Sequence, residues 1–177
     1  MLFRSPLKDK TLEVWARLDG LDQRGGGLMS VQTLDGARFD AIVFGEREPR
    51  RWTAGSDLFR RTQDVGGDVE RSSKDETVHL AVVYADRIVS IYRNGKPYGR
   101  PYTIDASESF PPGGAQVVFG VRHLPVGQGR MFAGAIDRAQ LYDRALTADE
   151  IARSSGDRKS TRLNSSHSSV SRMPSSA

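Results

Sequence analysis

Glu46 and Glu48, in the run Glu46-Arg47-Glu48, are the nearest approach in this 177-residue chain to two carboxylates on one strand face. Alternate residues of a strand share a face, and carboxylates so placed could serve as proton donor and as nucleophile or base in glycosidic cleavage. Pro49 and the neighbouring Arg47, Arg50 and Arg51 favour a solvated strand end bridged by arginines instead. Nucleophilic catalysis would need a serine, a histidine and an acid to converge. Ahead of the last twenty residues the histidines are His79 and His123, far apart in sequence, and no Gly-x-Ser-x-Gly elbow occurs. Two such distant histidines are also a poor start for a transition-metal site. Gly25-Gly26-Gly27 lacks the lysine and helix of a phosphate loop and reads as a turn. No residue is assigned a catalytic role, and no enzyme activity is expected.

By residue type, the best ligand surface is Arg50-Arg51-Trp52 together with Phe59-Arg60-Arg61. A flat indole can stack on the apolar face of a sugar while guanidinium groups bind hydroxyls or acidic groups in bidentate fashion. Trp52, Arg50, Arg51, Arg60 and Arg61 are therefore the candidate ligand-binding residues. The competing reading is that Trp52 belongs to a core and the arginines are simply solvated. Lys96-Pro97-Tyr98-Gly99-Arg100 is a basic turn with an aromatic residue but no repeated stacking platform for nucleic-acid bases.

The formal net charge of +4 would invite a nucleic-acid reading if it were spread over the chain. It is not: residues 158–177 hold Arg158, Lys159, Arg162 and Arg172 with no acid, which leaves 22 basic and 22 acidic side chains in residues 1–157. General nucleic-acid binding is thus not expected. The final twenty residues contain eight serines and no apolar period, a composition that cannot offset the entropy of ordering. Residues 157–177 are expected to be a disordered tail that resembles translated adapter or vector sequence, and they take no part in the functional reading. There is no cysteine, hence no disulfide framework. No apolar run nears the roughly 20 residues of a membrane-spanning helix, so membrane insertion is not expected, and residues 1–6 lack a signal peptide's apolar centre.

The elements that must position these residues read as short strands separated by glycine, proline and acidic turns. Residues 11–18 place Leu12, Val14, Ala16 and Leu18 on one face and Glu13, Trp15 and Arg17 on the other. Runs at 28–34 and 38–44 form a hairpin through Asp35-Gly36. Runs at 77–84 and 87–93 form a second, and Asn94-Gly95 supplies the pair favoured where both turn positions need positive φ. Runs at 116–121 and 132–142 complete an all-β set, best housed in a two-sheet antiparallel sandwich. Thr147 followed by Glu150 fits a capping box, in which each side chain satisfies a backbone N–H at a helix start, so one short C-terminal helix follows.

Two segments carry a family likeness. The strand, turn and capped helix from Met131 through Gly134-Ala135-Ile136-Asp137 and Leu141-Tyr142-Asp143 to Ile151 resemble the closing signature of laminin G-like domains in the concanavalin A-like lectin/glucanase superfamily. The strand His79-Leu80-Ala81-Val82-Val83-Tyr84 leading to Ile91-Tyr92-Arg93-Asn94-Gly95 resembles the central hairpin of the same domains. A narrower likeness, in Leu21-Asp22-Gln23-Arg24-Gly25-Gly26-Gly27 and from Phe39 to Trp52, is to the laminin G-like module of large planctomycete-type cytochrome proteins.

The resemblance implies a jelly-roll-like sandwich over residues 1–156 that lacks the family's first strand and comes from a larger secreted or cell-envelope protein. It implies a non-catalytic recognition or interaction module whose partners are glycans or neighbouring domains. A packing domain with no ligand of its own is the alternative, and a glycoside hydrolase a remote one. Glycan hydrolases of the superfamily carry Glu-x-Asp-x-x-Glu on one strand, which this chain lacks. Related modules hold calcium, which makes Asp137 a candidate calcium ligand, with Asp19, Asp22, Asp64 and Asp68 as further oxygen donors. These aspartates can equally be turn formers that bond their own backbone. No other cofactor is expected.

Overall fold

The structure is a computed structural model that describes residues 5–126 and 131–156; the expected tail, 157–177, lies outside the described residues. Among the described residues ten strands form two antiparallel sheets: β1 (Lys10–Leu18), β2 (Gly26–Thr33), β3 (Phe39–Phe44), β4 (Trp52–Ser56), β5 (Val78–Ala85), β6 (Ile88–Arg93), β7 (Lys96–Pro97), β8 (Tyr102–Thr103), β9 (Ala115–Phe119) and β10 (Gly134–Tyr142). One α-helix, α1 (Ala148–Gly156), closes the described residues. The first sheet has the order β10-β1-β5-β6-β7, with β8 also on β6, and the second has the order β4-β3-β2-β9. This is the expected two-sheet antiparallel jelly-roll-like sandwich with one short helix. No helix among the described residues is long and apolar enough to cross a membrane.

The alternation in β1 does what its sequence dictates. Leu12, Val14, Ala16 and Leu18 enter the core between the sheets, where they meet Leu28, Val31, Ile42, Phe44, Trp52 and Ala54. The opposite face is buried as well, because α1 docks Ile151, with Leu146 from the preceding turn, against Ala81 and Val83 of β5. Under that cover Glu13 lies 2.7 Å from His79 Nε2 and accepts from Tyr142 Oη and Ser154 Oγ, each at 3.0 Å. The capping box is present: Thr147 N–H donates to Glu150 Oε2 at 2.8 Å, and Glu150 N–H to Thr147 Oγ1 at 3.3 Å.

Both expected hairpins form, β2 with β3 and β5 with β6. Asn94 and Gly95 take φ of 50° and 77°, the doubly positive turn their types favour. The partner of the C-terminal strand is β1, paired with β10 from Thr11↔Tyr142 to Leu18↔Gly134, and ahead of it Leu7 bridges Phe110. The sequence reading has no strand at β4. In Trp52-Thr53-Ala54-Gly55-Ser56 the inward positions are held by one large residue and two small ones, a weak pattern, yet β4 pairs along β3 from Phe44↔Trp52 to Asp40↔Ser56.

Candidate ligand-binding site

The position of β4 corrects the expected surface. Trp52 is 2% exposed, with its ring 4.6 Å from that of Phe44, so it is a core residue and offers no face to a sugar. Arg61 is also internal: Nε donates to Asp40 Oδ1 at 2.9 Å and Nη2 to Asp57 Oδ1 at 2.6 Å. Burial opposes its charge, and the two carboxylates outweigh burial and raise its pKa. Lys10 meets Asp40 from the other side at 2.9 Å, both side chains fully buried. This is an ionic cluster inside the sandwich, not a binding surface. Arg60 is exposed, and Arg50 is exposed and held by Asp22 at 2.6 Å. Arg51, of the five candidates, lines a cleft.

That cleft, of about 710 Å³, lies along the edge where β4 of one sheet approaches β6 and β7 of the other. One wall is the segment 66–71, and the opposite wall holds Arg93, Lys96 and Tyr98. Tyr98 Oη accepts from Trp52 N–H at 3.2 Å and donates to Asp68 O at 2.6 Å, which ties the wall to the core. Gly67 lies flat against the Tyr98 ring, where a Cβ would collide with it. Arg51 Nη1 donates to Gly67 O at 2.6 Å while its Nε meets Glu48 at 2.7 Å.

Glu70 organises this wall. Its carboxylate, fully buried, accepts from Trp52 Nε1 at 2.7 Å, from Arg93 Nε and Nη2 at 2.8 and 2.6 Å, and from the N–H groups of Arg71 and Ser72 at 2.9 and 3.0 Å. Burial alone would raise its pKa; the donors from Arg93, Trp52 and Ser72 overcome it and hold the carboxyl at about 2. Glu70, Arg71 and Arg93 carried no signal in the sequence, because a buried carboxylate cannot be told from a solvated one by its neighbours in the chain. Lys96 and Tyr98 did stand out, as a basic aromatic turn.

The other candidates are dispersed. Glu46 is buried and paired with Arg122, and Glu48 is paired with Arg51, so the two carboxylates do not face a common space. His79 is buried beside Glu13, while His123 stacks on Phe39 with ring centroids 4.9 Å apart. Asp137 takes Arg17 Nη2 on Oδ1 at 3.0 Å, and Arg17 Nε and Thr77 Oγ1 on Oδ2 at 3.3 and 3.2 Å. A guanidinium thus stands where a calcium ion would have to bind. Asp22 and Asp64 are likewise held by Arg50 and Arg47, and among the described residues no three acids or histidines are grouped to hold a metal. The residues present do not fit the calcium site that the resemblance implied.

Among solved structures, the carbohydrate-binding module CBM40 of the Ruminococcus gnavus IT-sialidase, bound to α2,6 sialyllactose, superposes with a TM-score of 0.57 at 16% identity, over 85% of this chain and 84% of that one. Domain 4 of AbnA, a GH43 extracellular arabinanase from Geobacillus stearothermophilus in complex with arabinotriose, gives 0.57 at 18% identity, over 84% and 66%. A Trypanosoma rangeli sialidase in complex with 2,3-difluorosialic acid gives 0.54 at 18% identity over 82% of this chain, which spans only 22% of the sialidase's length. These likenesses are of fold. No curated protein matches the chain. A laminin G family model, described as the concanavalin A-like lectin/glucanases superfamily, matches residues 3–152, and the chain belongs to that superfamily.

Proposed function

We propose that the chain is a non-catalytic glycan-recognition module and that the cleft between β4 and β6–β7 is its binding site. The observation that carries this reading is the construction of the cleft: a buried Glu70 fixes Arg93 and the 66–71 wall against a core tryptophan, so the walls of the opening, with the backbone that carries Arg71, are held before any ligand arrives. Preorganised walls of this kind lower the ordering cost of binding. The glycan-bound modules of similar fold support the same ligand class. The non-catalytic part of this reading is supported by Glu46 and Glu48, each of which is paired with an arginine. The parent protein is proposed to be secreted or envelope-associated.

The test is calorimetric titration of the protein with oligosaccharides, alongside an assay for released reducing ends. Binding without turnover is the expected result, weakened by Arg51→Ala. Saccharide turnover would replace this reading with an enzymatic one, and the absence of binding to any saccharide would reject it.

A second reading, a packing module for neighbouring domains, is favoured by one feature. Met29, Val117, Phe119, Ala139 and Leu141 line an apolar groove of about 430 Å³ between the edge strands β9 and β10, and Phe119 is 52% exposed. Phe119→Ser would leave glycan binding intact under the first reading, and would weaken association with an adjoining domain under the second.

A further inference from the structure

We infer that the cleft is specific for an anionic saccharide, read through its carboxylate or sulfate group by Arg71 and Lys96, an inference that rests on the glycan-recognition reading. Four cations line the opening, Arg51, Arg71, Arg93 and Lys96, against the carboxylates of Asp68 and Glu70. Two of the four are spent: Arg93 on both oxygens of Glu70, and Arg51 on Glu48 and Gly67 O. Arg71 and Lys96 are exposed and have no acidic partner among the described residues. Asp68 is the one exposed carboxylate on the walls.

The placement of Lys96 adds an independent point. It lies directly across the β6–β7 ladder from Arg93. Like charges in opposed positions are destabilising, and Glu70, which neutralises Arg93, is already filled by five donors. Lys96 therefore adds a charge at the mouth that no acidic group among the described residues satisfies. Arg71 is presented the same way: its backbone N–H is pinned by Glu70 Oε1 at 2.9 Å while its guanidinium is left to solvent. An acid group between them would be met by a planar fork from one wall and a point charge from the other.

The experiment uses the full chain and compares it with the double variant Arg71→Ala, Lys96→Ala and the single variant Lys96→Glu. The probes are trigalacturonate and sialyllactose for carboxylates, a heparin-derived tetrasaccharide for sulfate, and arabinotriose as the neutral control. The basic tail is common to every protein, so the difference between variants isolates the cleft. Expected results are binding of at least one anionic probe, a loss of tenfold or more in the double variant, a larger loss in Lys96→Glu, and weakening in 0.5 M salt. Thermal stability of the variants should equal or exceed that of the parent. Arabinotriose binding as tight as the anionic probes would overturn the inference while leaving glycan recognition standing, as would anionic binding that the variants retain. Failure of every saccharide to bind would reject both.

Discussion

The indole Nε1 of Trp52 donates to Glu70 Oε2 across 2.7 Å, and this hydrogen bond, together with the Tyr98 bridge from Trp52 N–H to Asp68 O, joins the sandwich core to the wall of the cleft. The indole packs on Phe44 inside the core, and the carboxylate it holds fixes Arg93 and two backbone N–H groups at the opening. Damage to the core at this point is damage to the site.

Trp52→Ala should therefore cost about 3–5 kcal/mol, as truncation of buried aromatics does, and should abolish any ligand binding by collapse of the wall. Trp52→Phe keeps most of the packing but removes the donor, at a cost of about 1–3 kcal/mol for the partner left short. Urea unfolding of the two variants checks both values. Parental stability in Trp52→Ala would contradict the core placement.

Glu70 gives a pH signature. Its folded-state pKa of about 2 lies below the ordinary 4.5, so the charged carboxylate stabilises the fold above pH 4.5, and that contribution is lost as pH falls from 4.5 towards 2. Glu70→Gln, which removes the titration, should lower the melting temperature at pH 7, with the gap to the parent narrowing below pH 4.5. A gap that stayed constant from pH 7 to pH 3 would show that the pairing with Arg93 and Trp52 does not hold Glu70 ionised.

Elements bounded by local chemistry were legible in the sequence, and those defined by long-range contacts were not. The Asn94-Gly95 turn, the Thr147/Glu150 cap and the alternation in residues 11–18 are determined by neighbours a few positions away, and each has its expected counterpart. β4 was missed because Ala54 and Gly55 carry little apolar signal, and with it the burial of Trp52. Arg61 looked like a surface partner of Arg60, yet its place is fixed by Asp40, 21 residues earlier. Glu70 meets Arg93 from 23 residues away, a pairing that no spacing rule encodes.

The helix cap offers a local test. Thr147→Ala removes the acceptor for Glu150 N–H and should cost about 1 kcal/mol. The loss should appear as fraying of α1, read by faster amide exchange at 149–152 before any change in the sheets. Exchange unchanged in α1 would mean that docking of Ile151 alone maintains the helix.

Calcium is expected to have no effect. With Arg17 and Thr77 on its carboxylate, Asp137 gains nothing from a competing cation, and thermal unfolding in millimolar calcium should match that in a chelator. Asp137→Asn should leave the melting temperature nearly unchanged, since the ion pair with Arg17 is exposed on both sides. A melting temperature raised several degrees by calcium, and no longer raised in Asp137→Asn, would restore the metal site.

Backbone strain after β4 supplies the last test. Leu58 and Phe59 are consecutive non-glycine residues at positive φ, 49° and 57°, and Leu58 is 80% exposed. Conformations of this kind cost about 1–3 kcal/mol each and persist where the surroundings over-determine them. Here the surroundings are identifiable: Arg61 grips Asp57 Oδ1 at 2.6 Å, Arg60 N–H donates to Asp57 O at 3.0 Å, and Thr62 N–H donates to Phe59 O at 3.2 Å. Leu58→Gly removes the steric cost and forfeits little burial, against an entropy penalty of about 0.5–1 kcal/mol, so it should raise stability by up to about 2 kcal/mol. Phe59→Gly should gain less, because the Phe59 ring also carries Arg47 at 5.8 Å. Arg61→Ala should do the reverse, leaving Asp40 and Asp57 short of a cation at a cost of about 3–5 kcal/mol. If Leu58→Gly destabilises the protein, the tip is relaxed and the Arg61 network has no strain to hold.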